Sequence, residues 1–408
     1  MSAIAAGSRP ALVLSGGGVR GAYEVGVVAG MVEVLGLGPG ERAPFRVFAG
    51  TSVGAINVAY LASHADRADM AIGGLEDLWR GLCLDSHLRL EFAQHIPLVR
   101  RLPWIARRAE RNYGWCLLDP RPLAALVTNG TDWSQLRANT ASGAVHALIV
   151  AALNIGSGRT TMFADLGPGA QFRPTRDPLR ASQIGPINAE HVLASAALPL
   201  LFPARRIGDA YFCDGGLRFN TPIAPAIRAG ADRLCIIPVV KETRSTEITA
   251  QRLVEYPKLT FLLGKLLNAL LADPLQYDLQ ILAHFNRLVD VLEDALDPDE
   301  LARVDQVTEQ SRGAPYRRLS TLVIRPSEDI GIMAGDYVRS GRAGVRLPGL
   351  EGWLFRYARN RTQVREADWA SYVLFDGEFA EQVISLGKRD ARAKAEQIRA
   401  FFAAPAGE

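Results

Sequence analysis

The sequence predicts an α/β protein: a central, mostly parallel sheet flanked by helices, with an α-rich C-terminal extension. Two observations predict it. The chain opens strand, turn, helix, strand, turn, helix, and that repeat builds a parallel sheet with helices on its faces. Further strand-length aliphatic runs follow at residues 145–153, 234–240 and 322–326, while the stretches after 259 and after 369 read as helical.

In chain order, residues 1–9 read as a loose arm. Ala11-Leu12-Val13-Leu14 is a buried strand that runs through Ser15-Gly16-Gly17-Gly18-Val19-Arg20-Gly21 into an apolar helix from Ala22 to about Leu35. Gly36-Leu37-Gly38-Pro39-Gly40 ends that helix with a turn. The second strand finishes at Val47-Phe48-Ala49, and Gly50-Thr51-Ser52-Val53-Gly54 leads into a helix carrying Ala55, Ile56, Val58, Ala59, Tyr60 and Leu61. Residues 65–140 are helical but less regular, with Leu75, Leu78 and Leu82 on one face. Residues 145–153 form a buried strand, and Thr160-Thr161-Met162-Phe163 is its hairpin neighbour across Gly156-Ser157-Gly158. A block of small residues, His191 to Phe202-Pro203, reads as a tightly packed helix stopped by Pro199. Tyr211-Phe212-Cys213 is a strand that delivers Asp214-Gly215-Gly216, and residues 220–230 are helical.

Beyond a polar loop at 241–250, residues 259–271 are apolar on most faces. Asp273-Pro274 reads as an N-cap with proline at the first helical position, and Leu275, Leu279, Leu282, Phe285, Val289 and Leu292 mark one face of the helix that follows. Packing on the core is the expectation for this pair; a lid and an oligomer contact are the alternatives. No repeat and no low-complexity linker sets the tail apart, so the chain divides into an arm at 1–9, a main α/β domain at 10–240 and a helical extension at 241–408 packed on that domain.

Composition narrows the function classes. Hydrophobic residues at 48% and charged residues at 22% are ordinary for a globular protein. A net charge of +3 with a pI of about 8.7 is too small an excess to point to nucleic acid, and 8% aromatic residues offer no base-stacking platform. The most basic local cluster lies at 96–115, where Arg100, Arg101, Arg107, Arg108 and Arg111 sit among Ile96, Leu98, Val99, Leu102, Trp104, Ile105 and Trp115. Pro97 and Pro103 confine a clean helix to residues 104–113. A solvated surface helix with its apolar side on the core is the expectation; a helix lying on an anionic membrane surface is the alternative. The four cysteines, Cys83, Cys116, Cys213 and Cys235, have neither C-x-x-C nor Cys/His metal spacing, so they read as buried free thiols in a reducing compartment, with no metal or other cofactor implied. There is no basic-then-apolar leader and no run of ~18 apolar residues. A cytoplasmic protein, at most peripheral to a membrane, is expected. Nothing in the sequence sets an oligomeric state.

Three motifs carry chemistry. Gly50-Thr51-Ser52-Val53-Gly54 fits G-x-S-x-G between a strand and a helix, the context of a nucleophile elbow. Its glycines, Gly50 and Gly54, allow the tight turn and the close approach of strand and helix. Gly16, Gly18 and Gly21 fit the dinucleotide pattern G-x-G-x-x-G, but the next strand ends in Ala49-Gly50-Thr51-Ser52, without the carboxylate that would hold a ribose. The competing reading is an oxyanion hole, in which consecutive glycines converge backbone N–H groups and Arg20 adds positive potential. Asp214 ends an apolar strand before Gly215 and Gly216, which leave room for other groups to crowd it, and it is the strongest candidate for a catalytic carboxylate. The order Ser, Asp, His would also allow a triad of Ser52, Asp214 and His284, although His284 falls on the apolar-striped helix after Pro274.

In this order, the Gly16–Gly21 loop, the Gly50–Gly54 elbow, Ala194-Ser195-Ala196-Ala197-Leu198-Pro199 with Phe202-Pro203, and Asp214-Gly215-Gly216 resemble the patatin-like phospholipase family. The resemblance covers about residues 10–240, and Val323-Ile324-Arg325-Pro326 and Leu374-Phe375-Asp376-Gly377 look like the extension of its bacterial members. It implies a Ser–Asp dyad rather than a triad: Ser52 as nucleophile, Asp214 as base, and the backbone of Gly17, Gly18 and Val19, aided by Arg20, as the oxyanion hole. The implied substrate is a phospholipid or another acyl ester. Two other classes fit single features: a nucleotide-binding oxidoreductase, and a catalytically silent lipid- or protein-binding module of the same fold.

Overall fold

The computed structural model describes residues 7–38, 43–83, 116, 118–175, 177–242, 275–312, 317–342 and 370–403. The basic segment 96–115, the apolar segment 259–271 and the Asp273-Pro274 cap lie outside the described residues.

Nine strands are described: β1 (Pro10–Leu14), β2 (Val47–Thr51), β3 (Ala147–Asn154), β4 (Thr160–Leu166), β5 (Arg180–Ile184), β6 (Arg205–Ile207), β7 (Ala210–Asp214), β8 (Arg233–Ile237) and β9 (Ser320–Val323). The described helices are α1 (Gly21–Leu35), α2 (Val53–Ser63), α3 (Ile72–Arg80), α4 (Arg121–Gly130), α5 (Trp133–Ser142), α6 (Ala189–Ser195), α7 (Ile223–Arg228), α8 (Leu275–Ala295), α9 (Pro298–Arg312), α10 (Ile330–Arg339), α11 (Ala370–Val373), α12 (Gly377–Ala393) and α13 (Ala395–Ala403). The strands form one sheet in the order β5-β4-β3-β2-β1-β8-β9, with β7 pairing β3 and β6 pairing β7 off that path. Pairing is parallel from β3 through β2, β1 and β8 to β9, and antiparallel between β3 and β4, β3 and β7, and β6 and β7. The predicted central, mostly parallel sheet with flanking helices is therefore present.

Alternate side chains of a strand point to opposite faces, and here they feed two cores. Leu12, Leu14, Phe48, Leu148, Val150, Cys235 and Ile237 join one face, packed with α1, α2 and α12 through residues such as Tyr23, Val58, Leu61, Val383 and Ile384. Ala11, Val13, Val47, Ala49, Ala147, Ile149, Leu234 and Ile236 join the other, against α7 and α8 through Ile223, Ala226, Leu275 and Leu282. Burial on both faces is why β1, β2 and β8 read as unbroken apolar runs.

The chain beyond 241 shares this architecture. β9 adds a parallel strand beside β8, and α12 lies along α1. Tyr23 donates to Asp390 Oδ2 at 2.9 Å, and Lys388 pairs with Glu76 at 2.6 Å. Three cysteines are buried as expected, but Cys83 is exposed. The helix expected over 220–230 is shorter, from Ile223 to Arg228, because Asn220 turns its side chain back to the glycine loop instead of joining a helix.

Candidate active site

The register of β3 brings the two predicted catalytic residues together. Thr51, the last residue of β2, pairs with Ala151, and Asp214, the last residue of β7, pairs with Ala152. Ser52 follows Thr51, so neighbouring positions on one strand set both side chains. Ser52 Oγ donates to Asp214 Oδ2 at 2.6 Å, with both residues buried. Asp214 Oδ1 accepts from the Gly216 N–H at 2.7 Å, and the Asp214 N–H donates to the Ala197 carbonyl at 2.9 Å.

Ser52 caps α2 with φ 56° and ψ −125°. A non-glycine residue in the left-handed region is strained, by roughly 1–3 kcal/mol, and persists only where its surroundings over-determine it. They do here. The Ser52 N–H donates to Ser195 Oγ at 2.9 Å, and the Ser195 hydroxyl donates to the Ala151 carbonyl at 2.6 Å. Gly54 lets α2 sit down on β1: a Cβ there would lie 2.7 Å from the carbonyl oxygens of both Leu14 and Ser15. Gly54→Ala must push strand and helix apart and is expected to cost about 1–3 kcal/mol. Chemical denaturation checks this as a lowered midpoint at unchanged slope.

Burial pushes the Asp214 carboxyl up to about 6, against the opposing pull of the hydrogen bonds from Ser52 and Gly216. The carboxylate is thus a stronger base than an exposed aspartate and still ionised at neutral pH.

The glycine loop lies over this pair. Asn220 holds one end, accepting from the Gly16 N–H at 3.0 Å and donating to the Gly16 carbonyl at 3.1 Å. Gly18 takes φ 58°, and a Cβ on it would overlap the Tyr372 carbonyl oxygen. Among the described residues, the amides of Gly17 and Gly18 donate to no acceptor. Arg20, expected beside a developing charge, is buried against the C-terminal segment: its Nε donates to Ser371 Oγ at 2.8 Å and its guanidinium lies 4.2 Å from the Tyr372 ring centroid.

An apolar pocket, partly open to solvent, begins at Val53, the residue after Ser52. Ile56 and Tyr60 of α2, Leu75, Leu78 and Trp79 of α3, Phe202 and Phe375 continue its wall. The face predicted from Leu75, Leu78 and Leu82 is this wall. Behind it, Trp79 Nε1 donates to Asn57 Oδ1 at 3.1 Å, and Asn57 Nδ2 donates to Glu24 Oε2 at 2.9 Å and to the Gly21 carbonyl at 3.1 Å. Burial raises the Glu24 carboxyl well above its usual range.

None of the four described histidines reaches the pair. His64 bonds Ser63 and the Tyr60 carbonyl, His146 lies against Arg9, His191 bonds Asn188, and His284 sits on α8 beside Phe285. Among the described residues no group of three His, Cys, Asp or Glu could hold a metal ion, and no helix is long and apolar enough to cross a membrane.

The patatin-like phospholipase family model matches residues 12–227, more than half of the chain, from within β1 to within α7. The chain belongs to the patatin-like phospholipase family. A search of curated proteins finds no match. Among solved structures, the chain is similar to VipD from Legionella pneumophila at 14% identity and a TM-score of 0.31, over 93% of this chain and 67% of that one. Membership therefore rests on the family match. Three residues of this patatin-like site were not singled out from the sequence: Asn220, Ser371 and Tyr372. Ser195 lies in the small-residue block before Pro199, but nothing local in the sequence signals its role as acceptor for the Ser52 amide.

Proposed function

We propose that the protein is a serine acyl hydrolase that cleaves the carboxylic esters of phospholipids or lysophospholipids through a Ser52–Asp214 dyad. The observation that carries this reading is the 2.6 Å hydrogen bond from Ser52 Oγ to a buried, basicity-raised carboxylate at a strained strand-to-helix turn. Membership of a family of lipid acyl hydrolases and an apolar pocket beginning at Val53 support it. The pocket suits an acyl chain, since it offers almost no polar groups to leave unpaired.

In the proposed sequence, Asp214 takes the Ser52 hydroxyl proton as Oγ attacks the ester carbonyl carbon. The charge that develops on the carbonyl oxygen is met by the amides of Gly17, Gly18 and Val19, a contribution of roughly 3 kcal/mol per donor. The intermediate collapses, the ester C–O bond breaks, and the leaving alkoxide takes the proton from Asp214. Water then attacks the acyl-Ser52 ester, gives its proton to Asp214, and releases the fatty acid with Ser52 re-protonated. No histidine is needed, because the carboxylate contacts the hydroxyl directly.

The base must be ionised, so kcat/KM is expected to fall as pH drops through about 6, the Asp214 value. A pH–rate profile on a soluble ester checks this, and a profile flat from pH 5 to 8 would contradict the assignment. The activity itself is tested by hydrolysis of a phospholipid and lysophospholipid panel with product identification, wild type beside Ser52→Ala. Release of fatty acid by wild type alone supports the proposal. A wild type that cleaves neither short acyl esters nor any phospholipid overturns it.

A further inference from the structure

The family match ends at residue 227, yet a short segment more than 140 residues further on reaches the site. Ser371 Oγ accepts from Arg20 Nε, the Tyr372 ring stacks on the Arg20 guanidinium, and the Tyr372 backbone fits against Gly18 where no side chain could stand. Tyr372 also packs with Leu198, the neighbour of the Ala197 carbonyl that receives the Asp214 N–H. Phe375 joins Val53 and Phe202 in the pocket wall. The segment is itself fixed on two sides. Tyr337 donates to Asp376 Oδ1 at 2.7 Å, and the Gly377 N–H donates to the Leu82 carbonyl at 2.8 Å, beside α3.

We propose that residues 370–375 are a working part of the active site: Ser371 and Tyr372 are positioning residues that hold the glycine loop in its donor conformation, and Phe375 sets acyl-chain preference. The inference rests on the hydrolase reading above. Its physical basis is the weakness of a three-glycine run. Glycine has the largest conformational freedom of any residue and no side chain with which to anchor itself. Donors help a reaction only when they are already aimed at the developing charge. Gly16 is fixed by Asn220 at one end of the run. At the other end the first side chain able to anchor the loop is that of Arg20, beyond Val19, and its head group contacts Ser371 and Tyr372. A buried guanidinium keeps its place only with hydrogen-bonding and stacking partners. Loosening them loosens the loop, which affects the transition state more than the bound ester.

The test uses the full chain as wild type, Ser371→Ala, Tyr372→Leu and Phe375→Ala, with p-nitrophenyl acetate and p-nitrophenyl decanoate as substrates. Ser371→Ala and Tyr372→Leu are expected to lower kcat about 10-fold on both esters with KM within about twofold, the pattern of an interaction made only in the transition state. Phe375→Ala is expected to lower the decanoate-to-acetate ratio of kcat/KM about 10-fold. Ser371→Ala deletes one oxygen from a four-residue helix and keeps the fold, so the test does not depend on the bulkier Tyr372 change. An active wild type whose Ser371→Ala and Tyr372→Leu forms keep full kcat overturns the positioning role, and an unchanged ester ratio in Phe375→Ala overturns the specificity role. A wild type that hydrolyses neither ester and takes no fluorophosphonate label overturns the hydrolase reading, and this inference with it.

Discussion

Replacing Ser52 by alanine is expected to lower kcat for any acyl ester by roughly 10⁴-fold or more, because among the described residues Ser52 alone places a hydroxyl in hydrogen-bond contact with the Asp214 carboxylate. The change removes one atom from a residue whose backbone is held by Ser195 and by the close seating of Gly54, so the elbow keeps its shape. It also removes the hydroxyl that stabilises the ionised form of Asp214. The variant is therefore expected to lose about 1 kcal/mol of stability above pH 7, while its pocket still binds substrate. Steady-state kinetics on a soluble ester, with thermal unfolding alongside, separates this outcome from simple misfolding. A variant that is inactive because it is unfolded would show no cooperative transition.

Asp214→Asn is expected to have an effect of similar size on rate and the opposite effect on stability. The amide has the same shape, can still accept from the Gly216 N–H and can still meet Ser52 Oγ, but it cannot take a proton. A loss of roughly 10³–10⁴-fold follows for a missing general base. The stability change follows from linkage. The folded-state value of Asp214 is raised from 3.8 to about 6. Below about 4 both folded and unfolded chains carry the neutral acid, and the residue costs nothing. As pH rises from about 4 to about 6 the unfolded chain loses the proton and the folded chain keeps it, so stability falls. Above about 6 the full cost is present, about 2–3 kcal/mol for a shift of this size. Asp214→Asn escapes it. The variant should unfold at higher temperature than wild type at pH 8, and the gap should close below pH 4. A dead enzyme that is more stable at neutral pH is the expected signature of a base kept buried for its chemistry.

Much of this site was legible in the sequence because its parts are local. A strand, a glycine-bracketed serine and an apolar helix are written in one unbroken stretch, Val47 to Leu61, and the three glycines before Arg20 are as compact. Asp214 stands out as a carboxylate at the end of a buried strand, but Asp-Gly-Gly is also a common turn sequence, and the resemblance of the other motifs is what singles it out. The supporting residues were not legible, because each acts on a partner far along the chain. Ser195 meets Ser52 across 143 positions, Asn220 meets Gly16 across 204, and Ser371 meets Arg20 across 351. A serine or asparagine has no periodicity that announces such a contact.

The strands divide in the same way. β1, β2, β3 and β8 are buried on both faces and read as aliphatic runs. β5, Arg180-Ala181-Ser182-Gln183-Ile184, is a largely exposed edge strand without apolar alternation, and β6 is three residues long, so neither was expected. Both exist because a neighbour offers them a ladder, in β4 and β7. The late strand lies a little earlier than the apolar run at 322–326 suggests. β9 runs from Ser320 to Val323, and the Ile324 N–H still donates to the Ile236 carbonyl beyond it.

The central claim is that Ser52, activated by Asp214, is the residue that carries the acyl group. The most direct measurement is peptide mapping by mass spectrometry after reaction of the full chain with a fluorophosphonate. The adduct is predicted on the peptide containing Ser52, at one site, forming more slowly below pH 6 and absent from Ser52→Ala. An adduct on any other residue, or ester hydrolysis that continues without modification of Ser52, would contradict it.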